Sequence, residues 1–98
     1  MYENLFSLDG RVALITGASR GIGRAVARGL AEAGADVVMT ARSEKDLKLA
    51  ADEIRGAVTG RVEYYPVDML DRADVDELAK AVLRDFGAVD VLINNAGA

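Results

Sequence analysis

Cysteine, histidine and tryptophan are absent from the 98 residues, and proline occurs once. Without cysteine there is no disulfide, no thiol nucleophile and no thiolate zinc site. Without histidine the chain lacks the commonest general base and the commonest transition-metal ligand, and no metal site is expected. A surplus of basic charge is also missing: 12 Lys and Arg stand against 16 Asp and Glu, a net charge of −4. That balance argues against a nucleic-acid-binding surface. No apolar run reaches membrane-spanning length, and residues 1–8 lack the basic start and long apolar core of a signal peptide. A cytoplasmic location, with no membrane or nucleic-acid partner, is the expectation. With 51% hydrophobic and 29% charged residues, the composition is that of a globular chain. One domain over residues 1–98 is expected. A chain this short buries only about 60–65% of its unfolded surface, so its stability is modest unless it associates.

Short β-rich runs alternate with helical ones. Residues 11–16 (RVALIT), 36–41 (DVVMTA), 62–67 (VEYYPV) and 89–94 (VDVLIN) read as four strands. The first predicted helix covers residues 22–33, with Ile22, Ala25, Val26, Gly29, Leu30 and Ala33 at core spacing and Gly34 as its stop. Ser43 is the candidate cap of the second, with Asp46 three residues on, Leu47, Ala50, Ala51 and Ile54 inward, and Gly56 at its end. Asp71 or Asp74 starts the third, which places Val75, Leu78, Ala79, Val82 and Phe86 inward, ahead of Gly87. The βαβαβαβ string predicts an α/β fold with parallel strands and right-handed crossovers, a Rossmann-like doubly wound sheet of order 3-2-1-4. Pro66, which cannot donate to a ladder, fits the outer place of strand 3.

Residues 16–23 read TGASRGIG between a strand and a helix. Gly17 can supply the tight turn, Gly21 lets backbone approach a phosphate, and Gly23 permits close helix–strand packing. The exposed amides and the positive end of the helix then favour a pyrophosphate. The competing interpretation is a close-packed turn with no ligand; the strand–turn–helix setting favours phosphate.

TGASRGIG followed by NNAG at residues 94–97, with the lead-in LFSLDGRVALITG and the ending VDVLINNAG, resembles the N-terminal half of a short-chain dehydrogenase/reductase. Within that family the chain is similar to 3-oxoacyl-carrier-protein reductases and gluconate-type dehydrogenases. The resemblance covers essentially the whole chain. It implies a nicotinamide dinucleotide held by Gly17, Ser19, Arg20, Gly21, Ile22 and Gly23. In the family an acidic residue ending strand 2 selects NAD(H); here Ala41 stands at that place and Arg42 follows. A guanidinium grips a phosphate through parallel hydrogen bonds, and Arg20 occupies the family's second basic position. NADP(H) is therefore expected over NAD(H). Asp68 would accept from the adenine amino group with Met69 packing nearby, or else cap the turn into helix 3. Asn94 and Asn95 would stiffen the end of strand 4, while Asn95, Ala96 and Gly97 would lie close to the cofactor ribose.

The family's catalytic Ser, Tyr and Lys, the last two spaced four apart, lie beyond residue 98. Tyr2, Tyr64 and Tyr65 have no lysine four residues on. The resemblance thus implies the cofactor half of an enzyme that transfers hydride between NADP(H) and a secondary alcohol or ketone, with no catalytic residue in this chain. The chain alone is expected to be inert. The alternative is a non-catalytic, self-associating half-fold with weak or no dinucleotide binding. A flavodoxin-like or phosphoacceptor domain would want acidic residues where strand 1 ends in Thr16 and Gly17. Strand 4 lacks lysine and proline, a poorly protected edge, so a homodimer or larger assembly through that edge or the helix 3 face is expected.

Overall fold

The computed structural model describes residues 7–95. The elements run β1 (Val12–Ile15), α1 (Gly21–Glu32), β2 (Asp36–Ala41), α2 (Glu44–Arg55), β3 (Val62–Pro66), α3 (Arg72–Phe86) and β4 (Val91–Ile93). The four strands form one parallel sheet in the order β3-β2-β1-β4. This is the predicted doubly wound topology, in which each helix carries the chain from one strand to the next parallel one. Pro66 ends the outer strand β3, opposite Ala41. Among the described residues no helix is long and apolar enough to cross a membrane.

Strand alternation divides the core between the two faces. Ala13, Ile15, Val37, Met39 and Val62 meet the inner sides of α1 and α2, including Leu47, Ala50, Ala51 and Ile54. Val12, Val38 and Val67 meet Leu78 and Val82 of α3 on the opposite face. Each large aliphatic side chain so buried contributes about 1.5–3 kcal/mol.

The α2 stripe is the predicted one, and Ser43 caps that helix by accepting from the Asp46 amide at 3.3 Å. For α3 the cap is Asp71, whose Oδ1 accepts from the amides of Ala73 and Asp74 at 2.9 and 3.3 Å. Ala79, expected inward, is exposed. The inward face of α1 also needs correction. Gly23, Ala27 and Ala31 are buried, with Leu30 packed against the core, whereas Ile22, Ala25 and Gly29 are exposed. The helix is rotated so that the Gly23, Ala27 and Ala31 row, with small side chains, lies against the sheet, which turns Ile22, Ala25 and Gly29 to solvent.

The outer strands are shorter than their apolar runs. At the lower end of β4 the Asp90 carboxylate accepts from the Val12 amide at 2.8 Å, and the Asp90 amide donates to the Val12 carbonyl at 2.8 Å. A side chain thus takes over from the ladder where the two strands diverge.

Candidate functional site

The loops leaving all four strands at their C-terminal ends enclose one cleft of about 1090 Å³. Such a crevice, where the order of strands reverses, is the usual ligand position of open α/β sheets. The β1–α1 turn supplies Gly17, Ser19, Arg20, Gly21 and Ile22; β2 and its loop supply Ala41, Arg42, Ser43 and Asp46. Val67, Asp68, Met69 and Leu70 line it from beyond β3, and Asn94 and Asn95 from beyond β4.

The turn is shaped by glycine where no other residue fits. Gly21 opens α1 at φ +61°, and a Cβ there would meet nothing within 4 Å, leaving open space over the backbone. Gly23 does the opposite: it is buried beneath the turn, and a Cβ would collide with the Gly17 carbonyl and stand 2.8 Å from Asn95 Nδ2. Gly23 therefore sets the packing and does not line the cleft. The Ala18 amide donates to the Thr40 carbonyl at 2.9 Å, fastening the turn to β2.

The three helix starts differ. Ser43 caps α2 and Asp71 caps α3, and both helices carry acidic residues in their first turn. Helix α1 begins at Arg20 with no side-chain cap and no acidic residue in its first turn. Its first amides open on the cleft with the positive end of the helix dipole behind them, an arrangement suited to an anion.

Charge is distributed in the same sense. Eight of the twelve basic side chains are held by carboxylates or, for Arg61, by the Asp85 carbonyl and the Phe86 ring. The other four, Arg20, Arg42, Lys45 and Arg72, make no ion pair or hydrogen bond among the described residues, and two of these, Arg20 and Arg42, line the cleft.

Asp68 shows the local role left open by the sequence. Its Oδ1 accepts from the Leu70 amide at 3.0 Å, its carbonyl accepts from the Asp71 amide at 3.0 Å, and its own amide donates to Asp74 Oδ2 at 3.1 Å. The loop is thus fixed by its own hydrogen bonds, which use one carboxylate oxygen of Asp68, and Asp68 also lines the cleft. Met69 lines the cleft and packs on the α3-side core. Thr16 Oγ1 donates to Asn94 Oδ1 at 3.0 Å and accepts from the Asn95 amide at 2.9 Å, while Asn95 Nδ2 donates to the Gly17 carbonyl at 3.4 Å. These bonds lock the tip of β4 to the glycine turn. Ala96 and Gly97 lie outside the described residues.

A model of the short chain dehydrogenase family matches residues 11–98. The chain belongs to that family. One relative, an uncharacterised oxidoreductase of Mycobacterium bovis, is 45% identical over 93 residues, which is 93% of this chain and 27% of the relative. The gluconate 5-dehydrogenase of Gluconobacter oxydans is 43% identical over 98 residues, 98% of this chain and 37% of that enzyme. Among solved structures, a metagenomic short-chain oxidoreductase in complex with NADP matches with a TM-score of 0.87 and 45% identity, over 93% of this chain and 41% of that one. The chain spans less than half the length of each of these three proteins.

Besides Ala41 and Asn94, four residues line the cleft without having been singled out as ligands: Ser43, Asp46, Val67 and Leu70. Ser43 and Asp46 carry a helix-start signature that accounts for them without a ligand. Leu70 is 92% exposed at the rim, and nothing in its sequence neighbourhood separates such a leucine from a core one. Titration shifts fall elsewhere: burial, then the bond to Asp85, raises the Tyr65 phenol, and Arg84 followed by Tyr65 lowers the Asp85 carboxyl.

Proposed function

We propose that this chain is the dinucleotide-binding part of a short-chain oxidoreductase and that its cleft takes NADP(H) in preference to NAD(H). The observation that carries this reading is an uncapped α1 opening on the same cleft as two unpaired arginines. The glycine turn suits a pyrophosphate, because open space lies over Gly21 and no side chain caps the first amides of α1. Ala41 leaves the end of β2 without a carboxylate, and Arg20 and Arg42 supply up to two charged partners for a ribose phosphate. Each charged hydrogen bond contributes about 1.5–3 kcal/mol, enough for a preference of tenfold or more. The remaining carboxylate oxygen of Asp68 suits the adenine amino group, and Ser19, Ile22, Met69, Asn95, Ala96 and Gly97 complete the proposed contact set.

A bound nicotinamide cofactor supplies or accepts hydride, in the longer family fold against a secondary alcohol or ketone. The contribution of this chain is to hold and orient the dinucleotide. Neither Tyr64 nor Tyr65 lines the cleft, and the Tyr65 hydroxyl donates to Asp85 at 2.8 Å, so among the described residues no tyrosine is placed there to protonate a carbonyl oxygen. The 98-residue chain, folding as one domain, is therefore catalytically inert alone.

Titration of the purified chain with NADPH and NADH, read by nicotinamide fluorescence, tests the reading. Saturable binding with NADPH favoured supports it, and binding of neither overturns it. Carbonyl reduction above the buffer rate would refute the inert chain.

A second reading, self-association, is favoured by the exposed side chains of Leu92, Leu83 and Val89 and by β4, which pairs only with β1 among the described residues. A second copy would cover that edge or the adjoining α3 face. Sedimentation should then show a dimer or larger species that Leu92→Lys weakens; a monomer at high concentration counts against it.

A further inference from the structure

Two acidic side chains line the cleft, Asp46 and Asp68, and they are not in the same state. Asp68 is tied into its own turn by Leu70. Asp46 contributes its backbone amide to the Ser43 cap, but among the described residues its carboxylate has no hydrogen bond or ion pair. The side chain is not needed for the cap, yet it stands in the same cavity as Arg42, Ser43 and the carboxylate-free Ala41. Side chains on a helix lean toward its N-terminus, which tips a first-turn carboxylate of α2 back over the loop that leaves β2.

We propose that Asp46 is a specificity-determining residue of this cleft, an exposed carboxylate that shares it with Arg20 and Arg42 and lets the site accept NAD(H) as well as NADP(H). The inference rests on the dinucleotide reading. A carboxylate accepts two hydroxyl protons, so it suits the unphosphorylated adenosine ribose. The same charge repels a phosphate on that ribose, which the two arginines attract. Cofactor preference is then the difference between these terms, and the arginines alone overstate it.

The test compares wild type, Asp46→Asn, Asp46→Ser and Glu44→Gln, titrated with NADPH and with NADH at low and high salt. Glu44 shares the first turn of α2 and the same charge but does not line the cleft, so it reports any effect of helix charge alone. At low salt both Asp46 variants should bind NADPH about five- to tenfold more tightly and NADH more weakly, with the NADPH gain shrinking at high salt. Glu44→Gln should move either affinity by less than about twofold. The inference is overturned if the Asp46 variants leave the ratio of the two affinities unchanged, or if Glu44→Gln shifts it equally. Wild type binding both cofactors with that outcome leaves the dinucleotide reading standing; wild type binding neither removes both.

Discussion

The Thr16 hydroxyl donates to the Asn94 carboxamide oxygen at 3.0 Å and, as an acceptor, takes the Asn95 amide at 2.9 Å. Backbone pairing between β1 and β4 covers only Ala13–Val91, Leu14–Leu92 and Ile15–Ile93. Together with the bond from the Thr16 amide to the Ile93 carbonyl at 3.0 Å, the hydroxyl carries the join into the loops that line the cleft. Thr16 is buried, whereas Asn94 is exposed and Asn95 half-buried, so only the threonine end of each bond is shielded from water.

Thr16→Val should accordingly destabilise the chain by about 1–3 kcal/mol, because the Asn95 amide and the Asn94 side chain lose a common partner. Thr16→Ser keeps the hydroxyl and should lose less. Urea denaturation of the two variants measures the difference, and equal losses would show that the methyl group, not the hydroxyl, is what matters.

Two glycines of α1 should respond in opposite directions. A Cβ at Gly23 runs into the Gly17 carbonyl, so Gly23→Ala should cost about 1–3 kcal/mol and distort the turn. Gly29 sits in the middle of the same helix with nothing within 4 Å of a Cβ, so Gly29→Ala should stabilise by about 0.4–1 kcal/mol. Thermal unfolding of both variants checks the sign of each effect; a stabilising Gly23→Ala would contradict the close packing of α1 on the turn.

Thr40 is the converse of Thr16. It is fully buried in β2, and its Oγ1 is the buried side-chain oxygen without a hydrogen-bond partner among the described residues. An unsatisfied hydroxyl lowers stability relative to a methyl of the same shape, so Thr40→Val should be neutral or stabilising by about 1 kcal/mol. A clear loss of stability on chemical denaturation would show that the hydroxyl has a partner in solution, such as a bound water.

Much of this fold is legible in the sequence because short β-rich runs and helical stretches alternate at βα spacing, and Pro66 marks the outer strand. The inward face of α1 is not. Hydropathy favours Ile22 and Val26, whereas contact with the sheet requires Gly23, Ala27 and Ala31, a preference of size that apolarity does not encode. The cleft is legible where a motif names it, at Gly17, Arg20 and Gly21. It is not legible at Asp46, whose sequence setting is fully accounted for by a helix cap; its place in the cleft depends on how three loops converge. Asp68 stood between two roles for a related reason, since one carboxylate has two oxygens and only the folded turn assigns one of them.

The absence of histidine has a consequence for pH. The shifted groups titrate far from neutrality. The Asp52 carboxyl is held below its ordinary 3.8 by the bond from Lys48, and that of Asp85 by Arg84 and then Tyr65. A carboxyl lowered by folding stabilises the chain above its unfolded value, and the contribution is lost as pH falls through the folded one. Lys48, raised from 10.5 by Asp52, and Tyr65, raised from 10.0 by burial and then by Asp85, behave in the mirror sense. Their contributions are complete below those unfolded values and disappear as pH rises through the folded ones. The thermal midpoint should therefore be flat from about pH 5 to 9 and decline on both sides. Asp85→Asn should shallow the acid decline, and it should also bring the Tyr65 absorbance titration toward the ordinary tyrosine range, because the phenol then loses its anionic partner. A step in stability between pH 6 and 7 would need a group with a strongly displaced titration that these residues do not provide, and an unchanged Tyr65 titration in Asp85→Asn would remove the Tyr65–Asp85 pair from the account.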